Sequence, residues 1–408
     1  MRNYLAAAAA LLLAPVAAHA GAYAIPNENA RDLALSQATV AAQTGPEAAY
    51  QNASALAGQK GLGISASLEM LYNRTKWDDP NLGSAILKPK ANFPPALAVG
   101  YGNDLPNGMP YGVGVAFLLP GGGSIFWPEG WPGAGRIQTV EQKVYLIQTS
   151  AAIQPVPWFK FGASLLYYRI TEDLKQQLNF IGTVGTAELG LAGNAVTFGL
   201  SGEFRVPEIP LTFGIDYRHQ APTTLHGHAH LDGVPPNFAS VLQDQGASEA
   251  VTIPNQLFLG AAYEVIPDLK VMGTFTLERW ISYRSDTYIG DKGLVISVPR
   301  NYRNAQVYRV GVEYAKVPFL PILTLRLGGQ RSISDQPTDT ISPTLTDGNS
   351  WVVSAGVGVD LTDFVRIDLG YQHAIFDTVT ATGPEAFPGS YKTVADLVSL
   401  GATFRPKY

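Results

Sequence analysis

The sequence predicts an all-β transmembrane barrel of 14 antiparallel strands, with an N-terminal hatch plugging the lumen. Three observations lead there. Segments with strand-like period-two alternation run from residue 61 to the end of the chain. Their connections alternate between a few residues and roughly twenty or more. The first twenty residues have the form of an export signal. A soluble sandwich has no reason to sort its loops by length, whereas a membrane barrel gathers tight turns at its periplasmic rim and long loops at the other.

At the N-terminus, Arg2 supplies a positive start, Leu5 to Ala17 an apolar stretch, and Ala18-His19-Ala20 a small-x-small cleavage site. Residues 1–20 are therefore expected to be a signal peptide, with Gly21 as the mature start. No run reaches the length of about twenty apolar residues that a membrane helix needs, which excludes an α-helical membrane protein.

Residues 21–60 precede the first strand and lack its alternation. A lumen of this size is too wide for side chains alone to fill. The segment's small apolar residues, among them Leu33, Ala34, Ala41, Ala42, Ala48 and Ala49, suit a compact hatch of short helices. The alternative is a disordered periplasmic tail, which its low charge disfavours.

Strands are expected near residues 61–73, 94–103, 110–120, 138–152, 157–170, 192–206, 209–219, 253–265, 268–280, 303–315, 321–332, 350–361, 363–375 and 393–404. In the thirteenth, Val365, Ile367, Leu369 and Tyr371 alternate with Arg366, Asp368, Gly370 and Gln372. Short turns such as Val206-Pro207-Glu208-Ile209 and Val265-Ile266-Pro267-Asp268 alternate with stretches such as 74–93, 220–252 and 281–302. An even strand count returns both barrel ends to the short-turn rim. Residues 61–408 thus form the barrel.

Composition narrows the function class. There is no cysteine, so no disulfide framework or thiolate chemistry. The 42 glycines and 15% charged residues fit strands with one apolar face and permissive turns. Removing Arg2 with the signal leaves 27 basic against 33 acidic residues, a mature charge of −6, which argues against a nucleic-acid partner. No phosphate-cradling loop is present to supply energy, and no cofactor is expected.

Gly21-Ala22-Tyr23-Ala24-Ile25 followed by Tyr50-Gln51-Asn52-Ala53-Ser54-Ala55-Leu56-Ala57 resembles the FadL family of outer-membrane transporters for long-chain fatty acids and other hydrophobic compounds. Later segments fit in order: Leu259 to Tyr263 with Glu278-Arg279-Trp280, Tyr308 to Tyr314, Ser334-Asp335-Gln336-Pro337, Ile341 to Asp347, and Gly370-Tyr371-Gln372-His373. The resemblance implies a location in the outer membrane of a Gram-negative bacterium and loops that capture apolar ligand. It also implies a kinked third strand that opens a sideways exit to the bilayer. The family's hatch carries an Asn-Pro-Ala turn where this chain has Asn52-Ala53-Ser54, so a turn without proline's fixed φ is expected here. Terminal Tyr408 stands where the family has an assembly-signal phenylalanine. The partners implied are a hydrophobic ligand, outer-membrane lipid and the barrel-assembly machinery, around a monomer.

On the third strand, Gly112, Gly114 and Ala116 share the inner face with almost no side-chain volume, giving either space for the lateral opening or close packing of the hatch. Phe126, Trp127 and Trp131 concentrate aromatic surface after Pro120-Gly121-Gly122-Gly123, as a ligand-capture patch or a belt at the lipid headgroups. Phe238, Val241 and Leu242 have the spacing of one face of a short helix and are expected to add to ligand capture, the alternative being simple packing of the loop. Alternation points Lys160, Arg218, Lys270, Arg303, Arg309, Arg326 and Arg366 inward, most of them toward acids such as Asp216, Glu278, Glu313 and Asp368. Lys160, Arg303 and Arg309 are the candidates for a carboxylate headgroup; a neutral hydrocarbon needs none.

His226, His228 and His230 alternate along one face of a long loop without a nearby carboxylate in sequence, and no metal is expected there. Two other functions compete with uptake of hydrophobic small molecules: an adhesive or structural barrel with a closed lumen, and an outer-membrane lipase-type enzyme. The latter would need a serine, a histidine such as His219 or His373, and an orienting group within hydrogen-bond reach.

Overall fold

The computed structural model describes residues 29–88, 90–344, 346–383 and 386–406. The expected signal peptide, hatch residues 21–28 and Tyr408 lie outside the described residues. Alternating side chains give each strand a face for lipid and a face for the lumen, and 14 strands close the wall. They are β1 (Gly61–Asp79), β2 (Pro95–Asp104), β3 (Pro110–Phe126), β4 (Thr139–Val156), β5 (Phe159–Phe180), β6 (Thr183–Arg205) and β7 (Leu211–Arg218). The series continues with β8 (Gln256–Ile266), β9 (Leu269–Glu278), β10 (Ala305–Tyr314), β11 (Leu323–Ile333), β12 (Ser350–Asp360), β13 (Val365–Phe376) and β14 (Ser390–Phe404).

Each strand pairs antiparallel with the next. β14 returns to β1 from Ile64↔Phe404 to Asp78↔Ser390, so the 14-stranded wall closes on itself. The faces are those of a membrane barrel: on β13, Leu369 and Tyr371 are each 45% exposed, while Asp368 and Gln372 are 6% and 4%. Tight turns follow their sequence. Pro267 precedes Asp268 at φ 67°, and Pro207 precedes Glu208 at φ 69°, the proline-then-left-handed order of a type II turn.

The expected long loops are largely strand. β5 and β6 run for 22 and 23 residues, about twice what a bilayer crossing needs. Two hairpins, Ala221–Asp232 with Gln245–Ile253 and Ser285–Gly290 with Val295–Pro299, extend the wall further. Backbone polar groups that leave the membrane still need partners, and pairing onto a tall neighbouring strand provides them.

The hatch is a short helix, Ala30–Ala34, a second, Ala48–Gln51, and a 3-10 turn, Ala53–Gly58. The Asn29 side chain caps the first by accepting from the Asp32 N–H at 2.8 Å. That helix packs on β11 to β14, and the later segments on β2 to β6. Charges fix the first contact: Arg31 Nε donates to Glu313 at 2.9 Å, and Arg326 bridges Glu313 at 2.7 Å and Asp368 at 2.6 Å.

Candidate functional site

Above the hatch the lumen keeps a cavity of about 290 Å³, near the lower end of small-molecule pockets. Gln37 and Tyr50 of the hatch contribute to it from below, with Tyr168, Phe258 and Val307 among the wall residues. Trp127 and Trp280 close in from the extracellular side. Many of the wall residues, such as Leu71, Asn73 and Thr75 of β1, are the inward members of their strand's alternation. The apolar lining surrounds a small polar set that includes Arg218, Arg309 and Glu278.

Arg218 ends β7 and ties wall to hatch. Its Nε donates to Asp216 at 3.1 Å, its Nη2 donates to the Tyr50 carbonyl at 3.0 Å, and its guanidinium lies 4.1 Å from the Tyr50 ring centroid and 5.0 Å from that of Phe258. Arg309 donates to Gln330 at 3.0 Å and to Thr276. Asp347, in the loop after β11, meets the cavity from above; burial pushes its carboxyl up to about 6, against the pull of the Ser334 hydroxyl donating at 2.7 Å.

The cavity also reaches β3. Pairing of β3 with β2 runs to Leu97↔Phe117, β2 begins only at Pro95, and the register against β4 slips between Leu118 and Gly121. The extra residue lies at Leu119-Pro120, and Gly122, at φ 137°, follows once pairing has resumed. Pro120 to Ser124 therefore stand beyond the end of β2, lining the cavity on one side of the wall.

A model of the outer membrane protein transport family (OMPP1/FadL/TodX) matches residues 11–405. The chain belongs to this family. Among solved structures, a Pseudomonas aeruginosa FadL homologue is similar at TM-score 0.83 with 17% identity, covering 94% of this chain and 99% of that one. The P. putida toluene transporter TodX gives TM-score 0.71 with 17% identity over 92% and 98% of the two chains. The Ralstonia pickettii toluene transporter TbuX gives 0.66 with 16% identity over 91% and 98%. Identity this low speaks for the fold, which these proteins share. Among curated proteins, none matches the chain in sequence.

Within this FadL-type barrel the expected site residues separate. Asn52-Ala53-Ser54 lies buried in the hatch: Asn52 Oδ1 accepts from the Ser54 hydroxyl at 2.6 Å, Asn52 Nδ2 donates to Val40 O at 2.7 Å, and the Ser54 N–H donates to Ser201 of β6 at 2.9 Å. Side-chain capping takes over what proline's ring would fix. Gly112, Gly114 and Ala116 do not leave a hole. A Cβ on Gly112 would sit 2.2 Å from the Leu56 carbonyl, so hatch backbone fills that space, and the wall is paired on both sides there. The interruption lies one turn of alternation higher, at Leu118–Gly121.

The aromatic loop is not an exposed patch. Trp127 and Trp131 are 2% and 4% exposed, stack at 4.3 Å, and donate to Pro343 O and Ile137 O. Only Trp127 of the pair borders the cavity, and Phe126 sits under the Lys90 ammonium, 4.4 Å away. Phe238, Val241 and Leu242 form one turn rather than a helix: Leu242 is buried with Leu178, Leu294 and Ile296, Phe238 stacks on Phe180 at 5.5 Å, and Val241 points away from the cluster. Pro235-Pro236 before it and the strand from Gln245 after it leave no room for a longer helix.

Of the three chosen cations, Arg309 borders the cavity. Lys160 lies below the hatch, bonded to Glu203 at 2.7 Å, and Arg303 is exposed ahead of β10. The alternation does place Arg218 inward, but its role was hidden because Tyr50 reaches it from a segment with no strand register.

Proposed function

We propose that the protein is a passive outer-membrane channel for hydrophobic small molecules, either long-chain fatty acids or aromatic and aliphatic hydrocarbons, that leave sideways past the β3 bulge. Membership of a family of outer-membrane transport proteins carries the general function. The observation that carries the route is one continuous cavity lined both by hatch residue Tyr50 and by Pro120 to Ser124 of β3. An apolar solute released to periplasmic water would re-expose its surface at about 25 cal/mol per Å². Lateral escape avoids that cost.

Substrate charge turns on two arginines. Arg218 is committed to Asp216 and the Tyr50 carbonyl. A carboxylate entering the cavity would meet Arg309, which lines it and donates to Gln330 and Thr276, whereas a hydrocarbon needs neither arginine. The test is uptake of a radiolabelled long-chain fatty acid and of a neutral aromatic hydrocarbon by cells lacking their own transporter. Faster uptake of the acid, abolished by Arg309→Met, identifies a fatty-acid channel. Faster uptake of the hydrocarbon alone, indifferent to that substitution, identifies a neutral-solute channel. Correct insertion with neither solute accelerated would favour the adhesive barrel.

A further inference from the structure

Above the bilayer the sheet continues in the order β4, β5, β6, 221–232, 245–253, 285–290, 295–299. It curls until its far strands touch its near ones. Tyr288, four strands from β5, donates its hydroxyl to Glu172 of β5 at 3.0 Å, and Gln142 of β4 donates to the other oxygen of Glu172 at 3.0 Å. Glu249 stands directly opposite Tyr288 in the register. Beside them Arg300 Nε donates to Asp286 at 2.9 Å, and the Tyr283 hydroxyl donates to its second oxygen.

Glu172, Glu249, Asp286 and Arg300 are all at most 1% exposed. The Tyr288 hydroxyl that serves Glu172 is also the neutral donor beside Glu249, whose oxygens have no well-formed hydrogen bond, and Gln142 Oε1, also buried, has none. Three carboxylates around one guanidinium would leave two uncompensated charges in a dry site. No three acidic or histidine side chains among the described residues are gathered to hold a metal ion. The missing positive charge is best supplied by protons.

We propose that Glu172, Glu249 and Asp286 form a proton-operated latch that holds the extracellular curl closed over the lumen mouth. Gln142 borders the lumen cavity as well as Glu172, so the latch adjoins the route into the channel whatever compound it carries. Burial pushes the Glu249 carboxyl well above the usual range, and Asp286 up to about 6, opposed by Arg300. Folded values above unfolded ones mean that closure is strongest in acid and weakens as pH rises through the raised values. The groups facing Glu249 are Glu172 from β5, Asp286 and Tyr288 from 285–290, and Arg300 after 295–299. Strand 221–232 presents Leu225 opposite it, with His226, His228 and His230 exposed on the outer face.

Because the chain has no cysteine, spin labels at Ile181→Cys and Val295→Cys report the curl alone. The latch predicts a narrow inter-label distance distribution at about pH 5 that broadens and lengthens at about pH 9, and a narrow one at both pH values in Glu249→Gln. A second substitution, Glu172→Gln, must also flatten the response. An unchanged distribution in the folded wild type, or the same pH response in Glu249→Gln, would overturn the proposal. So would restoration of the narrow state at high pH by calcium alone.

Discussion

Arg218 shows how a single side chain sets the floor of the cavity. It neutralises Asp216, holds the Tyr50 carbonyl and stacks on two rings. Removing the guanidinium strands Asp216 without its ion pair in the lumen, where breaking a buried pair costs about 3–5 kcal/mol. Arg218→Met is therefore expected to loosen the hatch and raise ion conductance in planar bilayers, and the double variant Arg218→Met with Asp216→Asn should recover most of the seal. Asp347 makes a pH prediction. Its folded value near 6 exceeds the unfolded value near 4, so it destabilises the extracellular part increasingly as pH rises across that interval and by a constant amount above it. Thermal unfolding followed against pH should show that slope, and Asp347→Asn should reduce it, the remainder coming from other buried carboxyls raised by burial, Asp335, Glu249 and Asp286 among them.

At the scale of elements, the hatch and the wall are matched by shape as well as charge. Gly356 and Gly112 are positions where a Cβ would lie 2.4 Å from the Ala34 Cβ and 2.2 Å from the Leu56 carbonyl. Gly112→Val is expected to displace the hatch while leaving the wall paired, seen as faster proteolysis near residue 55 with unchanged heat-modifiable migration of the barrel. Sequence alone offered both roles for this glycine stripe, because a missing side chain reads the same whether backbone or empty space replaces it. The wall strands were legible for a plainer reason: lipid on one side and lumen on the other impose alternation that Leu369, Tyr371, Asp368 and Gln372 each obey. The extracellular hairpins were not, since above the bilayer their outward faces no longer need to be apolar, as His226, His228 and His230 show. Trp127 and Trp131 misled for a related reason, looking like exposed surface until Pro343 and Ile137 provided acceptors from elsewhere in the chain.

For the whole molecule, the closed barrel with its hatch makes a wall whose register slips beside short turns at Ile153/Val156 and Glu264/Ile266, and, beside the cavity, at Leu118/Gly121, where β3 also outlasts β2. The cavity assembled behind it draws on inward residues of most strands, so no local motif announces it. The lateral route is the claim on which the account stands. Ser124 lines the cavity beside the bulge and donates to Asn92 at 3.2 Å. Since the chain has no other thiol, Ser124→Cys offers a unique handle there. The decisive measurement is uptake of hydrophobic solute through Ser124→Cys before and after modification with a bulky thiol reagent. Passage at the bulge predicts near-normal uptake before modification and a loss of about tenfold after it, the size expected if modification adds about 1.4 kcal/mol to the barrier. Undiminished uptake after complete modification would contradict it.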